Sequence, residues 1–294
     1  MKHAFLIMAH QEPEVLLALL RLLDDERNDI FLHIDRRAAD LNKAVADLRL
    51  EHARLFRVEP SAEVGWGDLS QVETELRCFE AAHRRGTYAY YHLLSGVDLP
   101  IKTMDELHAF FSTCGGREFI GFWNDEHHRR DLQRKISRRY FFTRYFKRRP
   151  HRWRHRFTAP LRNIALSVQK MARYRRRHII DFQKGFNWCS ITHGFCTHLL
   201  EHRACVRRIF RHTLCPDEIY KQTLVWHSPF RAALHDTDDP ERGSLRRIDW
   251  QRGNPYVWQV KDIDELMRCE LMFARKFSAE AAAEIVRRLV RPSA

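Results

Sequence analysis

Across residues 1–122 the chain alternates between short apolar runs and longer stretches in which apolar residues recur every third or fourth position. Ala4-Phe5-Leu6-Ile7-Met8-Ala9 contains no polar residue, as expected of a strand buried on both faces of a parallel sheet. Glu12 to Asp24 then carries Val15, Leu16, Leu19, Leu20 and Leu23 at helical spacing. Ile30–Ile34 reads as a second strand ending at Asp35, followed by a helix near Ala39–Arg49 and a third strand at Arg54–Val58. Asp68 or Ser70 caps the next helix, whose stripe is Leu69, Val72, Leu76 and Phe79 and which Gly86 closes. Tyr88–Leu94 is a strand, Thr103 caps a helix to about Ser112, and Glu118–Phe122 is a further strand. Alternation of this kind predicts an α/β sheet with right-handed crossovers.

After Trp123 the pattern changes. The chain carries 51 Lys and Arg against 38 Asp and Glu, a formal +13. Between Arg129 and Arg177 there are 19 Lys or Arg and one acid, Asp131, so that segment holds +18 and the rest of the chain −5. Its cations alternate with Tyr140, Phe141, Phe142, Tyr145, Phe146, Trp153, Phe157 and Tyr174, and two helical stretches are expected around Pro150–Pro160. A surface of this composition meets anionic partners. It suits anionic lipid headgroups with aromatics at the interface, and it is also a composition that binds nucleic acid. The third reading is a helical acceptor-side subdomain whose charges are solvated. Regular structure resumes with a strand at Phe186–Thr192 and helices at Gly194–Phe210, from Asp217, at Asp262–Cys269 and at Ser278–Val290, with a polar turn at Asp236–Gly243. No internal repeat or low-complexity linker is present, so the expectation is one domain over 1–294 with a basic helical insertion at 123–180.

The seven cysteines form no C-x-x-C pair and are odd in number, which argues for reduced thiols rather than a disulfide framework or a structural zinc site. The apolar run Ala4–Ala9 is too short for a signal peptide or a membrane span, and no other stretch reaches 18 apolar residues. The expectation is a cytoplasmic protein that meets a membrane, if at all, from its surface. There is no G-x-G-x-x-G, P-loop or G-x-S-x-G string, which sets dehydrogenase, P-loop and serine-hydrolase readings aside. His151 and His155 have the i, i+4 spacing of metal ligands but stand among arginines, a field that repels a cation.

Open α/β sheets bind ligands outside the carboxyl ends of their strands. Three such ends carry polar or small residues: His10, Asp35, and Ser95-Gly96-Val97-Asp98. Gly65-Trp66-Gly67 adds an aromatic face between two flexible joints, suited to a base or sugar ring. Taken singly, Asp35 and Asp98 could equally cap turns. The ordered blocks His3–His10, His33-Ile34-Asp35, Val64–Gly67, Leu94–Thr103 (Leu-Ser-Gly-Val-Asp-Leu-Pro-Ile-Lys-Thr), Gly185-Phe186-Asn187-Trp188 and Cys215-Pro216-Asp217-Glu218 resemble the core-2/I-branching β-1,6-N-acetylglucosaminyltransferases and the protein O-xylosyltransferases. The resemblance covers 3–103 and 185–228 well, is weaker over 250–280, and is absent over about 123–180.

That resemblance implies a GT-A type, Rossmann-like mixed sheet flanked by helices, with a nucleotide-sugar-binding half at 1–122 and an acceptor and catalytic half at 181–294. It implies an inverting transfer from a UDP-sugar, GlcNAc first and xylose second, to a glycan or lipid-linked acceptor, with neither cofactor nor metal. Glu218 corresponds to the general base. A carboxylate of ordinary pKa, about 4.3, is ionised at neutral pH and can take the acceptor proton. Otherwise Glu218 is simply an acid in the first turn of a helix, where the dipole favours it. Lys276, in Phe273-Ala274-Arg275-Lys276-Phe277, and Arg252 correspond to the cations that neutralise the departing diphosphate in place of a metal. Asp35 and Trp66 would hold the nucleotide, with His10, Gly96 and Asp98 shaping the donor pocket. Asp236-Thr237-Asp238 is a D-x-D string in a polar turn rather than after a strand, and Asp262-Ile263-Asp264 reads as a helix cap. By analogy the setting is bacterial surface-polysaccharide synthesis. The contrasting expectation is a non-catalytic basic α/β protein that binds RNA or a membrane.

Overall fold

The computed structural model describes residues 1–145, 154–177 and 179–290. Of the basic segment, Phe146, His151 and Trp153 lie outside these, as do the side chains of Tyr145, His155 and Phe157. The described residues contain nine strands: β1 His3–Ala9, β2 Asn28–Ile34, β3 Arg54–Arg57, β4 Tyr90–Ser95, β5 Asp98–Pro100, β6 Phe119–Ile120, β7 Cys189–Thr192, β8 Arg246–Ile248 and β9 Phe273–Arg275. Six form a mixed sheet in the order β3-β2-β1-β4-β7-β6, and three form a second sheet, β5-β9-β8.

In the main sheet β1 runs parallel to β2 and β4, and β2 to β3. The register pairs Ala9 with Ile34 and Met8 with Ser95, so three parallel strands end level with one another. The apolar run of β1 obeys a two-residue period even though every residue is buried. Phe5, Ile7 and Ala9 enter the cluster formed with the Pro13–Leu22, Met104–Thr113 and Ala279–Leu289 helices. Ala4, Leu6 and Met8 enter the opposite cluster, with Val72, Leu76 and Phe79 of Leu69–His83 and Phe195 and Leu199 of His193–Glu201. A strand sandwiched this way must be apolar on both faces.

Helix starts follow the sequence closely. Asp68 accepts from the Ser70 N–H, Thr103 forms a reciprocal capping box with Glu106, and Ser278 accepts from the Ala281 N–H. β7 is antiparallel to both β4 and β6, so the sheet is mixed, as the resemblance implies. Other expectations change. The expected Gly194–Phe210 helix is two, His193–Glu201 and Arg203–Phe210, broken at His202. Of the helical stretches expected around Pro150–Pro160, the Arg154–Met171 helix includes Pro160, which removes one backbone donor from it. The Asp236–Gly243 turn contains a short helix, Pro240–Ser244, capped by Asp239. The second sheet was not anticipated; its register sets Asp98 opposite Arg275 and Pro100 opposite Phe273.

The 123–184 segment leaves and rejoins the body at one seam. The Trp123 N–H donates to the Lys184 carbonyl at 2.9 Å. A Cβ on Gly185 would fall 1.8 Å from the Gly121 carbonyl oxygen, so the two backbones touch with no room for a side chain.

Beside β6, the fully buried Glu118 carboxylate accepts from the Thr192 N–H at 2.9 Å and from its hydroxyl. Burial pushes its pKa up to about 7, against those two hydrogen bonds. The folded state therefore holds the proton more tightly than the unfolded chain, so this group's contribution is complete below about pH 4.5 and fades as pH rises through 7. On the order of 3 kcal/mol is involved at 1.36 kcal/mol per pKa unit. Glu118→Gln should flatten that part of the stability profile, read as urea midpoints at pH 5 and pH 8. Equal pH slopes in variant and parent would rule this out.

Candidate active site

Because β1, β2 and β4 end level, His10, Asp35 and Gly96 follow one another along a single edge of the sheet. Gly96 is there for closeness: a Cβ would sit 2.8 Å from the Ala9 Cβ. Asp35 is buried, and its carboxylate accepts from the Arg37 guanidinium at 2.6 and 2.7 Å, from the Arg37 N–H at 2.9 Å and from the Val64 N–H at 2.9 Å. Burial opposes its charge, but these donors outweigh it and hold the pKa at about 2. Asp98 is also buried and turns back on the end of β4, accepting from the Ser95 N–H and hydroxyl and from Arg275 at 2.7 Å. Arg275 in turn lies 4.6 Å over the Trp188 ring. His10 is open to solvent yet crowded by protein. Loss of water is the largest effect lowering its pKa, opposed by Asp35 and joined by Arg275, Arg37 and Lys276. Those charges therefore gather around one histidine. Lys276 is half-buried, and its backbone is clamped by Tyr256 and Trp258: its carbonyl accepts from the Trp258 N–H at 2.7 Å.

Arg252 keeps different company. It pairs with Asp249, with Asp262 at 3.3 Å and with Glu265 at 3.2 Å, and it stacks on Tyr256 and Trp258 at 4.5 and 4.9 Å. Three carboxylates already surround this cation. Asp262, expected as a cap, instead accepts from the Gln259 N–H one turn earlier.

The Trp66 loop connects the strand edge to Glu218. Val64, held by Asp35, leads into Trp66, which is 49% exposed. Gly67 has φ +69°, a conformation that disfavours side chains, and a Cβ there would lie 3.2 Å from the Cys215 sulfur. Its carbonyl accepts from the Cys215 N–H at 3.0 Å, and its N–H donates to Gln71, whose amide reaches Asp217 at 3.2 Å. One residue past the Trp, the chain is thus tied to the Pro216–Glu218 turn.

Glu218 is a quarter exposed, and its Oε2 accepts from Lys135 at 2.8 Å with Lys184 3.5 Å away. Both lysines also pair with Asp131, at 2.9 and 2.6 Å, and Lys184 lies 4.7 Å from the Trp123 ring centroid. Burial works against the Lys135 charge, but Glu218 and Asp131 more than compensate and raise its pKa. The same lysines depress Asp131 despite its burial. Beneath them Asp217 is fully enclosed, and its Oδ1 has no hydrogen-bond partner among the described residues. Burial first, then Glu218 and Glu75, push its pKa up against the pull of Lys221. Lys221 bridges Glu75 and Asn187, the latter at 2.7 Å, which anchors the Gly185–Trp188 block.

Of the residues singled out in the sequence, the structure gathers His10, Asp35, Gly96, Asp98 and Lys276 at the strand edge. It links Trp66 to Glu218 through Gly67 and Cys215, and gives Arg252 acidic neighbours of its own. Asp131, Lys135, Lys184 and Arg275 were given no site role by the sequence. Arg275 and Lys184 each adjoin a recognised block. Asp131 and Lys135 offered only an i, i+4 pair inside the basic segment. The D-x-D carboxylate Asp236 accepts from the Asp238 and Asp239 N–H groups and so holds its own turn together.

The profile of the family described as Core-2/I-Branching enzyme matches residues 3–271. Mouse Xylosyltransferase 2 is 24% identical over 303 residues, covering 96% of this chain and 32% of that protein. Xylosyltransferase oxt of Drosophila melanogaster is 24% identical over 279 residues, covering 88% and 30% respectively. The chain therefore spans about a third of the length of these curated relatives. Among solved structures it is similar to mouse Xyloside xylosyltransferase 1 in its apo form. The identity is 12%, the coverage 93% of this chain and 96% of that one, and the TM-score 0.37, too slight a likeness to carry an argument.

Lys135 joins the basic segment to the Pro216–Glu218 turn by a mostly buried pair. Lys135→Met should lower the unfolding free energy by about 3 kcal/mol, the low end for a broken buried ion pair because Glu218 keeps some water. Guanidinium unfolding measures it. A change below about 0.5 kcal/mol, the level of ordinary surface substitutions, would mean that the pair does not hold the segment in place.

Proposed function

The chain belongs to the core-2/I-branching enzyme family, and from that premise we propose that it is an inverting, metal-independent glycosyltransferase. The donor in this reading is a UDP-sugar, UDP-GlcNAc or UDP-xylose, and the acceptor is a glycan or a lipid-linked glycan. The relatives named above are xylosyltransferases, which keeps xylose beside GlcNAc. The observation that carries the reading is the covalent and hydrogen-bonded path from Asp35 through Val64, Trp66 and Gly67 to the partly exposed carboxylate of Glu218.

In this mechanism the nucleotide lies along the level strand ends, its ring against Trp66, with Asp35 fixing the loop that carries that ring. His10, Gly96 and Asp98 line the donor side, Gly96 by letting the strand ends pack closely. Lys135 and Lys184 both engage Oε2 of Glu218, so Oε1 takes the proton from the acceptor hydroxyl. The freed oxygen attacks the anomeric carbon from the face opposite UDP, the C–O bond to the diphosphate breaks, and configuration inverts. Negative charge then grows on the diphosphate and is met by fixed cations. Lys276 supplies one. Arg275, adjacent in the chain and paired with one carboxylate, Asp98, is better placed for the second than Arg252, whose charge is shared among three carboxylates. Arg252 acts instead by bracing Tyr256 and Trp258, which clamp the Lys276 backbone.

The basic segment fits a peripheral contact with an anionic membrane. On the Arg154–Met171 helix, Leu166 turns inward to the Tyr140, Leu214 and Cys215 cluster, while Leu161, Ile164, Val168 and Met171 form an exposed stripe, each at least half exposed. Lys170, Arg173 and Arg175 flank it. An apolar stripe bordered by cations suits the headgroup boundary of a bilayer. Among the described residues no helix is long and apolar enough to cross a membrane.

Two measurements test these proposals. UDP should raise the melting temperature in the presence of EDTA, and Glu218→Gln should keep that shift while losing transfer from UDP-GlcNAc or UDP-xylose by at least about a hundredfold, the lower range for a general base. Near-normal turnover in the variant, or strict dependence on a divalent ion, would overturn the mechanism. Salt-dependent RNA binding with indifference to UDP would support a non-catalytic basic protein instead. For the membrane, phosphatidylglycerol vesicles should sediment the parent chain at low salt and phosphatidylcholine vesicles should not. Leu161→Ser with Val168→Ser should weaken sedimentation without altering UDP binding, and equal sedimentation of variant and parent would remove the stripe from the account.

A further inference from the structure

The end of the His193–Glu201 helix holds a cluster that the transfer reaction does not use. His198, Glu201 and the following residue, His202, stand at i, i+3 and i+4, spacing that puts three side chains on one helix face. One ligand atom from each lies within 4.8 Å of the other two. We propose that these three residues bind a divalent first-row transition ion, zinc first among them.

Four features support the site. The His202 Nδ1 lies 2.8 Å from the His198 carbonyl. A carbonyl can only accept, so Nδ1 carries the proton and Nε2 keeps its lone pair for a metal. This is the arrangement in which a backbone oxygen fixes a ligating imidazole. The His198 ring rests against Phe195 and Phe230, with centroids 6.2 and 5.7 Å away, which restricts it before any ion arrives. The two imidazole centroids are 4.2 Å apart. The three donors also sit at the carboxyl end of the helix, where the backbone dipole favours a cation, and the next cation along the chain, Arg203, is engaged with Glu80 at 2.7 Å.

The donor set selects the ion. Two imidazole nitrogens and one carboxylate oxygen suit zinc, nickel or copper, whereas calcium and magnesium prefer oxygen alone. Bonds of about 2.0–2.2 Å would draw the donors closer than they now stand, a closure that the exposed Glu201 can supply by changing rotamer. Water would complete the shell. The ion would lock the turn at His202, where the His193–Glu201 helix gives way to Arg203–Phe210. It would act on the stability of that junction, separately from sugar transfer.

With thiols kept reduced, calorimetric titration of the purified chain with ZnCl₂ should show one site per chain that the double variant His198→Asn, His202→Asn lacks. Glu201→Gln should weaken it about tenfold, the lower range for altered metal-site partners. Copper(II) bound to the parent should give an electron paramagnetic resonance spectrum with coupling to two nitrogens. The variants' melting temperatures in EDTA, matching the parent's, show that they remain folded. Unchanged zinc affinity and stoichiometry in the double variant would overturn the proposal, as would a copper signal without nitrogen coupling in the parent.

Discussion

Asp35 is the hinge of the arrangement. A carboxylate at the end of a buried strand must be satisfied or it destabilises the fold, and here a guanidinium and two backbone N–H groups satisfy it. One of those N–H groups belongs to Val64, across an intervening helix and strand. The demand of a single buried charge therefore fixes where the Trp66 loop begins. Gly67, with its left-handed backbone, returns that loop to Cys215 and so to the turn of Glu218. Remove the carboxylate, and the strand edge and the Pro216–Glu218 turn lose their shared reference point.

Two other groups of interior charges follow the same logic of pairing. Glu75 and Lys221 are both fully buried and answer each other, with Tyr220 and Asn187 completing the set. Asp131, Lys135, Lys184 and Glu218 form a second group with two charges of each sign. Such groups add little net stability over an apolar core, since desolvation offsets attraction. Their contribution is position: an ion pair specifies which atoms meet, where an apolar contact specifies only that surfaces do. That is the kind of control the proposed mechanism asks over Glu218.

The sequence made the parallel half of the fold readable because its signals are local. A six-residue apolar run, a threonine three residues before a glutamate and a glycine after a helix each act within one turn or strand. Glu218 and Lys276 were visible only because ordered blocks around them resemble a family. What escaped was non-local or short. β5, β8 and β9 have three residues each, too few for a period to declare itself, and β5 meets β9 across as many as 177 positions. Arg275 finds Asp98 through that sheet. Lys135 meets Glu218 across 83 positions from a segment without any matching motif, and nothing in either neighbourhood announces the other. The break at His202 likewise interrupts a continuous helical pattern.

The seam between Gly121 and Gly185 has a consequence for how this fold can vary. Since departure and return of the 123–184 segment share one doorway, held by Trp123 and Lys184, the two sheets do not depend on how much chain lies beyond the segment's own contacts with the body. Lengthening a tether whose ends already touch adds only a logarithmic entropic cost. Related chains can thus trade this appendage for a longer, shorter or differently charged one and keep both sheets undisturbed, provided whatever replaces it still presents an ammonium group to Glu218.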